Sequence, residues 1–204
     1  MYIPNNMVMT ENEAIVEFIT EFSFGLIISP SLEATHLPLL YEPSDIALGY
    51  LYGHFAKANP QWRSLENQRV LVIFSGPHSY ISPTWYANRP AVPTWNYAAI
   101  HCYGLFEILN EAETARSMDA LVSQYEPQLH QNTELMPQDY KRQLSKAVVG
   151  FRVVIDDIQA KEKLGQQKKK NDQQGVYHAL SESANLDAIA LSAYMKKRNL
   201  GIGD

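Results

Sequence analysis

The chain has 204 residues, 46% of them hydrophobic, which is sufficient for one substantial domain with a core. Its formal net charge of −5 disfavours a protein that coats nucleic acid through its overall charge, and its single cysteine excludes an intramolecular disulfide bond. No apolar run reaches the roughly 18 residues of a membrane span, and the N-terminus lacks the pattern of a secretion signal, so we expect no membrane partner and a cytoplasmic location.

The first part of the chain predicts one helix and several short strands. Thr10 followed by Glu13 is a capping-box pattern, and apolar residues at helical spacing extend this helix to Phe22. Asn59 before Pro60 predicts a short helix over residues 61–66. Apolar segments separated by proline or acidic residues predict antiparallel strands at residues 24–29, 35–40, 47–54 and 70–74.

The segment between Arg69 and Glu107 carries one formal charge, at Arg89, and is rich in aromatic residues and proline. Its uncharged polar side chains stand beside aromatic ones, and such groups need hydrogen-bond partners when they are buried. This composition indicates a ligand pocket or a subunit interface. Residues 76–90 predict an ordered loop because they are rich in turn formers, and residues 92–109 predict a long, bent strand.

The last part of the chain predicts helices and one further strand. Helical spacing covers residues 111–125 and 137–146, and a strand pattern covers residues 148–158. Residues 159–174 are polar and basic and predict a solvated connector. Two final helices are predicted at residues 175–180 and 185–197. Many short strands with few helices between them predict a small antiparallel barrel rather than a parallel sheet.

Four blocks of sequence, together with the start MYIP, carry a resemblance to a known family. They are THLPLL at residues 35–40, GHFAKANPQW at 53–62, GPHSYISPTWY at 76–86 and VPTWNY at 92–97. In this order they resemble the FMN-binding negative transcriptional regulators of the PaiB type. The resemblance implies an α+β, mainly β fold: an antiparallel split β-barrel with peripheral helices, working as a homodimer with flavin at the subunit interface.

The resemblance also implies a division of the chain and a set of cofactor-binding residues. We expect an FMN-binding split-barrel domain at residues 1–165 and, at residues 166–204, a polar, basic connector with a C-terminal helical appendage. The strand at residues 35–37 is expected to lay its backbone along the isoalloxazine edge. The expected cofactor-binding residues are Thr35, His36, Leu37, His54, Lys57, Asn59, Trp95, Asn96, Lys163 and Gln166.

The end of the last predicted strand departs from the family. Where the family has Gly-Lys-Trp-Lys-Leu-Ser-Gln-Asn-Arg, this chain keeps Lys161, Lys163, Leu164 and Gln166 but lacks the Trp, Ser, Asn and final Arg. A lost hydroxyl and a lost guanidinium remove a hydrogen bond and a bidentate anion contact. If this tail supplies a phosphate or flavin contact in the family, FMN binding by this chain is expected to be weakened or lost.

Each candidate also has an explanation that involves no ligand. Lys57 and the amides of the following helix start could bind a phosphate, or Lys57 could be a solvated lysine. Trp95 and Asn96 could close a pocket or pack a dimer interface. The lysines between residues 161 and 170 could contact DNA, although a solvated connector is favoured. The histidines lack metal-ligand spacing, so no metal site is expected.

The resemblance, together with the pocket-like composition, implies an FMN-binding protein that acts as a negative transcriptional regulator and senses flavin, redox state or a metabolite. No catalytic residue is predicted, because the sequence has no Ser-His-Asp arrangement, paired carboxylates or activated cysteine. The alternative is a flavin-dependent reductase or oxidase of small molecules that uses the same dimer-interface site, since a flavin itself carries the difficult chemistry. Direct DNA binding is a third hypothesis, which the acidic charge weakens.

Overall fold

The computed structural model describes residues 1–132 and 134–204. Its described helices are α1 Asn12–Glu21, α2 Glu111–Tyr125, α3 Gln138–Ser145, α4 Lys170–Ser181 and α5 Leu186–Arg198. Its described strands are β1 Phe24–Ile28, β2 Ala34–Pro38, β3 Leu40–Glu42, β4 Tyr50–Ala56, β5 Arg69–Ile81, β6 Thr94–Ile108 and β7 Val148–Lys163. Short 3-10 helices lie at Asn5–Met7, Pro60–Ser64, Pro83–Trp85 and Pro127–Gln131.

The seven strands form one sheet in the order β2-β1-β5-β6-β7-β4-β3. The registers of β1 with β2 and β5, and of β4 with β3 and β7, are all antiparallel. The predicted antiparallel arrangement is therefore confirmed, as are the helices that became α1, α2 and α3. Within the described residues, every helix falls short of the length and apolar character that a bilayer span requires.

The chain divides into two compact units. The first unit comprises Met1–Ile15, Ser75–Ile100 and Gln159–Asp204, and the second unit comprises Val16–Phe74 and His101–Ile158. The domain boundary expected at residue 165 stays a prediction.

The core of the second unit is built around three phenylalanines. Phe55 lies 5.2 Å from Phe151 between ring centroids, and Phe106 lies 4.8 Å from Phe151. All three are fully buried, because alternate residues of each strand point to the same face. Gly53 has no room for a side chain here, since a Cβ would lie 2.7 Å from Phe151 and 2.8 Å from Leu39. Leu39 thus packs tightly against β4.

The first unit is held together by a buried carboxylate on β7. Glu162 is 1% exposed and accepts hydrogen bonds from Tyr194 at 2.6 Å and from Arg198 Nε at 2.8 Å. Both partners belong to α5, so this cluster fixes the last helix against the end of β7. The N-terminal segment joins the same strand, because Met9 N–H donates to Ala160 O at 3.1 Å.

Two sequence predictions about local structure were wrong. Residues 76–81 do not belong to a loop but continue β5, and Ser79 and Ile81 are buried with strand alternation. Residues 159–163 are not a solvated connector but the end of β7, and α4 begins at Lys170 rather than at residue 175. Both β5 and β7 are strands of the seven-stranded sheet, and their pairing outweighs the local composition of turn formers in β5 and of charges in β7.

The buried lysine at position 161 is part of the second correction. Lys161 is 7% exposed, its ammonium donates to Tyr2 O at 3.0 Å, and it lies 5.1 Å from the centre of the Tyr97 ring. A backbone carbonyl and an aromatic face therefore replace water around its charge. It is not available as part of a solvated basic segment.

Candidate functional site

Strand β2 lies at one edge of the described sheet, with β1 as its strand partner. Two backbone hydrogen bonds set the pattern of this pairing. Ser29 N–H donates to Glu33 O at 2.9 Å, and Leu39 N–H donates to Ser23 O at 2.9 Å. Both pairs fit the register in which residues 25 and 37 are opposite each other. In an antiparallel ribbon, hydrogen-bonded and non-hydrogen-bonded pairs alternate.

This alternation decides which residues of β2 face the open edge. Thr35 and Leu37 occupy hydrogen-bonded positions, so their backbone groups point toward β1. His36 lies between them, and its N–H and C=O therefore point toward the edge. The His36 ring stacks on Phe24, with centroids 5.7 Å apart and an interplanar angle of 19°. Of the three predicted residues on β2, His36 is the one whose backbone can meet a ligand.

Thr35 and Asn59 are brought together in a network centred on Gln61. Asn59 Nδ2 donates to Thr35 Oγ1 at 3.1 Å, and the Thr35 hydroxyl donates to Gln61 Oε1. Gln61 is 4% exposed, and its Nε2 donates to Glu33 O at 2.9 Å. Asn59 Oδ1 also accepts from Gln61 N at 3.0 Å and thereby caps the short helix. These polar groups hold the end of β2 to the turn after β4.

His54 lies on the outer face of β4. Leu51, Gly53 and Phe55 alternate with it and point into the core. Its side chain is half-buried, and helix α2 packs against this strand. Desolvation by this burial lowers the pKa of His54.

Lys57 lines a cleft of about 450 Å³ that we call the α3 cleft. The cleft is lined by Lys57, Trp62, Ile108, Leu109, Glu111, Thr114, Arg142, Ser145, Lys146, Val148, Val149 and Gly150. Lys57 N–H donates to Ala147 O at 2.8 Å, and Lys57 O accepts from Trp62 Nε1 at 3.2 Å. These bonds hold the end of β4 beside the chain that enters β7. Lys57 thus shares a concave surface with two cations of the α3 region.

In the first unit, Trp95 belongs to an aromatic cleft of about 290 Å³. This aromatic cleft is lined by Ser75, Gly76, His78, Trp95, Tyr97, Ala98 and Ala99. Trp95 is 52% exposed, and its ring centroid lies 5.8 Å from that of His78 and 6.4 Å from that of Tyr80. Asn96, its neighbour on β6, is 3% exposed. The site therefore combines an accessible indole with small residues that leave space for a flat molecule.

Lys163 and Gln166 are bonded within the first unit. Lys163 Nζ donates to Thr94 Oγ1 at 2.6 Å. Gln166 Nε2 donates to Glu162 O at 2.7 Å and to Asn6 O at 3.0 Å, and its Oε1 accepts from Leu164 N at 2.8 Å. The amide of Gln166 therefore closes the turn after β7.

Three residues of these sites were missed by the sequence analysis. Gln61 is a polar residue after a cap, and nothing in its local sequence indicates that it is buried. Arg142 and Lys146 are four residues apart, a spacing that places both on one helix face and was available as a signal. Their convergence with Lys57 depends on a tertiary contact.

Within the described residues, these sites contain neither an accessible thiol nor a cluster of metal ligands. Cys102 is buried, and burial raises the pKa of its thiol to about 12. In the part of the chain that the structure describes, no group of three or more His, Cys, Asp or Glu side chains is arranged to hold a metal ion.

Comparison with known proteins connects these features to a family. Residues 1–157 match the family described as "Putative FMN-binding domain". Protease synthase and sporulation protein PAI 2 of Bacillus subtilis (strain 168) is 38% identical over 207 residues, which cover 97% of this chain and 98% of that protein.

Solved structures share the fold at low sequence identity. The flavocytochrome Anf3 from Azotobacter vinelandii has a TM-score of 0.59 at 14% identity. The match covers 80% of this chain and 73% of the Anf3 chain. The FAD and heme binding protein from Mycobacterium smegmatis has a TM-score of 0.58 at 15% identity. That match covers 77% of this chain and 73% of the Mycobacterium chain. These similarities confirm the predicted split β-barrel class. Because the match spans residues 1–157 of 204, the chain belongs to the "Putative FMN-binding domain" family.

Proposed function

We propose that this protein binds FMN as a homodimer and acts as a negative regulator of transcription that senses flavin, its redox state or a small metabolite. The observation that carries the proposal is the family match over residues 1–157. The Bacillus relative supports a regulatory role for two reasons. Its name refers to protease synthase and sporulation, and its similarity extends over 97% of this chain.

The open edge of β2 is suited to a flavin ring. The pyrimidine edge of isoalloxazine carries both N–H and carbonyl groups, and it needs an acceptor and a donor side by side. His36 offers a backbone C=O and N–H at an edge position of the sheet. Recognition through backbone groups at a sheet edge is an established way to bind an extended hydrogen-bonding partner.

The aromatic cleft of the first unit is, taken by itself, suited to the face of a flat aromatic ring. Its volume of about 290 Å³ is close to the lower end of ligand pockets, roughly 300 Å³. Trp95 offers a large accessible aromatic face, and Gly76, Ala98 and Ala99 occupy little space. We propose that Lys57, Arg142 and Lys146 bind the phosphate of FMN. We also propose that the residues replaced near the end of β7, relative to the family, weaken the affinity for FMN.

The proposal is tested first by the visible spectrum of the freshly purified protein and by titration with FMN, followed by flavin fluorescence. We expect saturable quenching with one FMN per chain. Absence of flavin absorbance together with no saturable titration would remove the proposal.

The role of the β2 edge is tested by two substitutions at one position. His36→Pro removes the edge N–H, and proline is tolerated at sheet edges. His36→Ala keeps the N–H and removes only the ring. We expect FMN affinity to fall by about ten-fold more in His36→Pro than in His36→Ala, because one backbone hydrogen bond to the ring is lost. Equal affinities in the two variants would contradict the use of this edge.

A flavin-dependent reductase or oxidase is the second candidate. The 52% exposure of Trp95 favours it, since an accessible aromatic face would admit a planar substrate molecule. Anaerobic addition of NADH or NADPH to the FMN-loaded protein separates the two functions. Bleaching of the flavin absorbance, followed by turnover in a screen of small oxidants, would favour the enzyme. An unchanged spectrum with both nucleotides would favour the regulator.

A further inference from the structure

Three cationic side chains, Lys57, Arg142 and Lys146, line the α3 cleft because a backbone contact brings two parts of the chain together. Lys57 N–H donates to Ala147 O at 2.8 Å, which places the end of β4 directly beside the end of the α3 region. Lys146 immediately precedes Ala147, and Arg142 is four residues earlier on the same helical face. All three cations line the cleft. A single backbone contact therefore assembles a positive surface from two distant parts of the sequence.

The positive charge of this surface is largely uncompensated. Arg142 is 3.7 Å from Asp139, and their side chains are 77% and 97% exposed, so this ion pair is weak. Among the described residues, neither Lys57 nor Lys146 takes part in an ion pair. Glu111 is the one carboxylate among the described residues that line the cleft. Like charges gathered in a concave site attract an anion with more than one negative charge.

The walls of the cleft are apolar. Trp62, Ile108, Val148 and Val149 line it, and Ile108 is 37% exposed. Such walls bury the organic part of a ligand, while a few polar groups fix its head. This combination favours a small organic anion over a bare inorganic ion.

The floor of the cleft depends on a glycine. Gly150 lies so close to Thr114 that a Cβ would be 2.3 Å from Thr114 Oγ1. Thr114, which is 6% exposed, and Ser145 also line the cleft. The Ser145 hydroxyl donates to Arg142 O at 2.9 Å, so it holds the last turn of α3 and is not counted as a donor to the ligand.

We propose that the α3 cleft binds a phosphate monoester carried on an apolar body, with the phosphate between Lys57, Arg142 and Lys146 and the organic part against Trp62 and Ile108. The phosphate belongs either to FMN itself or to a separate phosphorylated metabolite. The assignment of Arg142 and Lys146 rests on the geometry of the cleft and does not require that flavin binds.

The test uses the indole N–H resonance of Trp62 in the full-length protein labelled with ¹⁵N-tryptophan. The chain has three tryptophans, so Trp85 and Trp95 are internal controls. Phenyl phosphate is the probe, because it combines a phosphate monoester with an apolar ring. We expect a saturable shift of the Trp62 resonance alone.

Two variants test the cations. In the double variant Arg142→Gln with Lys146→Gln, we expect phenyl phosphate to bind about ten-fold or more weakly, because two charge-assisted hydrogen bonds are lost. Lys169→Gln, an exposed lysine of the first unit, is the matched control and should leave the affinity unchanged. Far-UV circular dichroism checks that each variant is folded. No saturable Trp62 shift, or an unchanged affinity in the double variant, would overturn the proposal.

Titrations with FMN and with riboflavin, which lacks the phosphate, distinguish the two possible sources of the phosphate. If the phosphate is that of FMN, FMN shifts the Trp62 resonance, and its affinity falls toward that of riboflavin in the double variant. If the ligand is a separate metabolite, the double variant loses phenyl phosphate binding and keeps its affinity for FMN. A protein that binds neither flavin but still binds phenyl phosphate at Trp62 would refute the proposed function and support the α3 cleft.

Discussion

At the scale of single residues, the charged cluster around Glu162 shows how a polar sequence can form part of a core. Glu162 is 1% exposed, and Arg198 contacts it with Nε at 2.8 Å and with Nη2 at 3.2 Å. Arg198 Nη2 also donates to Glu11 at 3.0 Å. These contacts raise the pKa of Arg198. A buried carboxylate of this kind depends on its partner, because removing one charge leaves the other without compensation.

We expect Arg198→Met to destabilise the protein by about 3 kcal/mol, since it leaves Glu162 buried without its cation. Combining it with Glu162→Gln should recover a large part of this loss, because the uncompensated charge is then removed. The measurement is the free energy of urea unfolding. Arg142→Met, whose side chain is 77% exposed in the wild type, is the control and should stay within about 0.5 kcal/mol. Equal effects of Arg198→Met and Arg142→Met would contradict this account.

The buried thiol of Cys102 leads to a second prediction. Burial raises its pKa to about 12, so the reactive thiolate is scarce at neutral pH and is also shielded. We expect no reaction with Ellman's reagent in the native protein and one thiol per chain after denaturation in guanidinium chloride. Because Cys102 is the one cysteine of the chain, the signal is unambiguous. Rapid reaction of one thiol in the native state would contradict the burial.

His54 makes stability depend on pH. Burial lowers its pKa, so the folded protein binds this proton less readily than the unfolded chain does. The contribution of neutral His54 to the free energy of unfolding is therefore fully present above the ordinary histidine pKa of about 6.5. This contribution is lost as the pH falls below that value. We expect the free energy of unfolding to decrease from pH 7.5 to pH 5.5.

The variant His54→Gln should show a smaller decrease over the same pH interval. Burial also lowers the pKa of His101, which stays in the variant and leaves part of the effect. The exposed His178 supplies the control His178→Asn, which should keep the slope of the wild type. An unchanged slope in His54→Gln would exclude His54 as a source of the pH dependence.

At the scale of elements, α4 packs on the 3-10 helix Pro83–Trp85 through a glycine. A Cβ at Gly175 would lie 2.2 Å from Trp85 O. The start of α4 is also fixed, because Asn88 N–H donates to Asp172 Oδ1 at 2.8 Å. The helix therefore cannot move away from this backbone without losing other contacts.

We expect Gly175→Ala to destabilise the protein although alanine favours helices. The gain in helix propensity is about 1 kcal/mol, whereas relieving a clash with a backbone oxygen costs about 3 kcal/mol. The expected net loss is thus about 2 kcal/mol in urea unfolding. His178→Ala in the same helix is exposed and should be neutral or slightly stabilising. A Gly175→Ala protein as stable as the wild type would contradict the close approach of α4 to Trp85 O.

Elements with strong periodicity were predicted well, and those with mixed composition were not. Helix α2 was predicted with the bounds that the structure has, because its helical spacing is a local signal. The cap at Asn110 includes reciprocal bonds with Glu113. By contrast, the end of β5 contains Gly76 and Pro77, which are locally typical of turns, yet this strand lies between β1 and β6 in the sheet and stays extended to Ile81.

At the scale of the whole molecule, the proposed homodimer gives a direct prediction. Several large apolar side chains are exposed on the single chain, including Phe24 at 65%, Val92 at 74% and Trp95 at 52%. Burying such surface against a second copy would be favourable. We expect light scattering to give twice the chain mass of 23.1 kDa at micromolar concentration. A mass of one chain under these conditions would contradict the dimer.

The candidate site was predictable only in part. The resemblance to a flavin-binding family pointed to Thr35, Lys57 and Trp95, and family membership is confirmed. Which atoms of these residues are available could not be predicted, because it depends on tertiary contacts. The hydroxyl of Thr35 bonds to the side chains of Asn59 and Gln61, whereas the backbone of His36 faces an open edge.

The sequence by itself determined the class of fold and the family, through its strand patterns and four blocks of sequence. It also determined helices α1, α2 and α3, because their periodicity depends on residues close together in the chain. Only the tertiary structure decided that Lys161 and Glu162 are buried, that β5 continues through Pro77, and that Lys57 meets Arg142 and Lys146. Each of these depends on partners far away in the sequence. The free energies of burial and strand pairing with these distant partners exceed the intrinsic preferences of single residues for helix, strand or turn, which are what a sequence reveals.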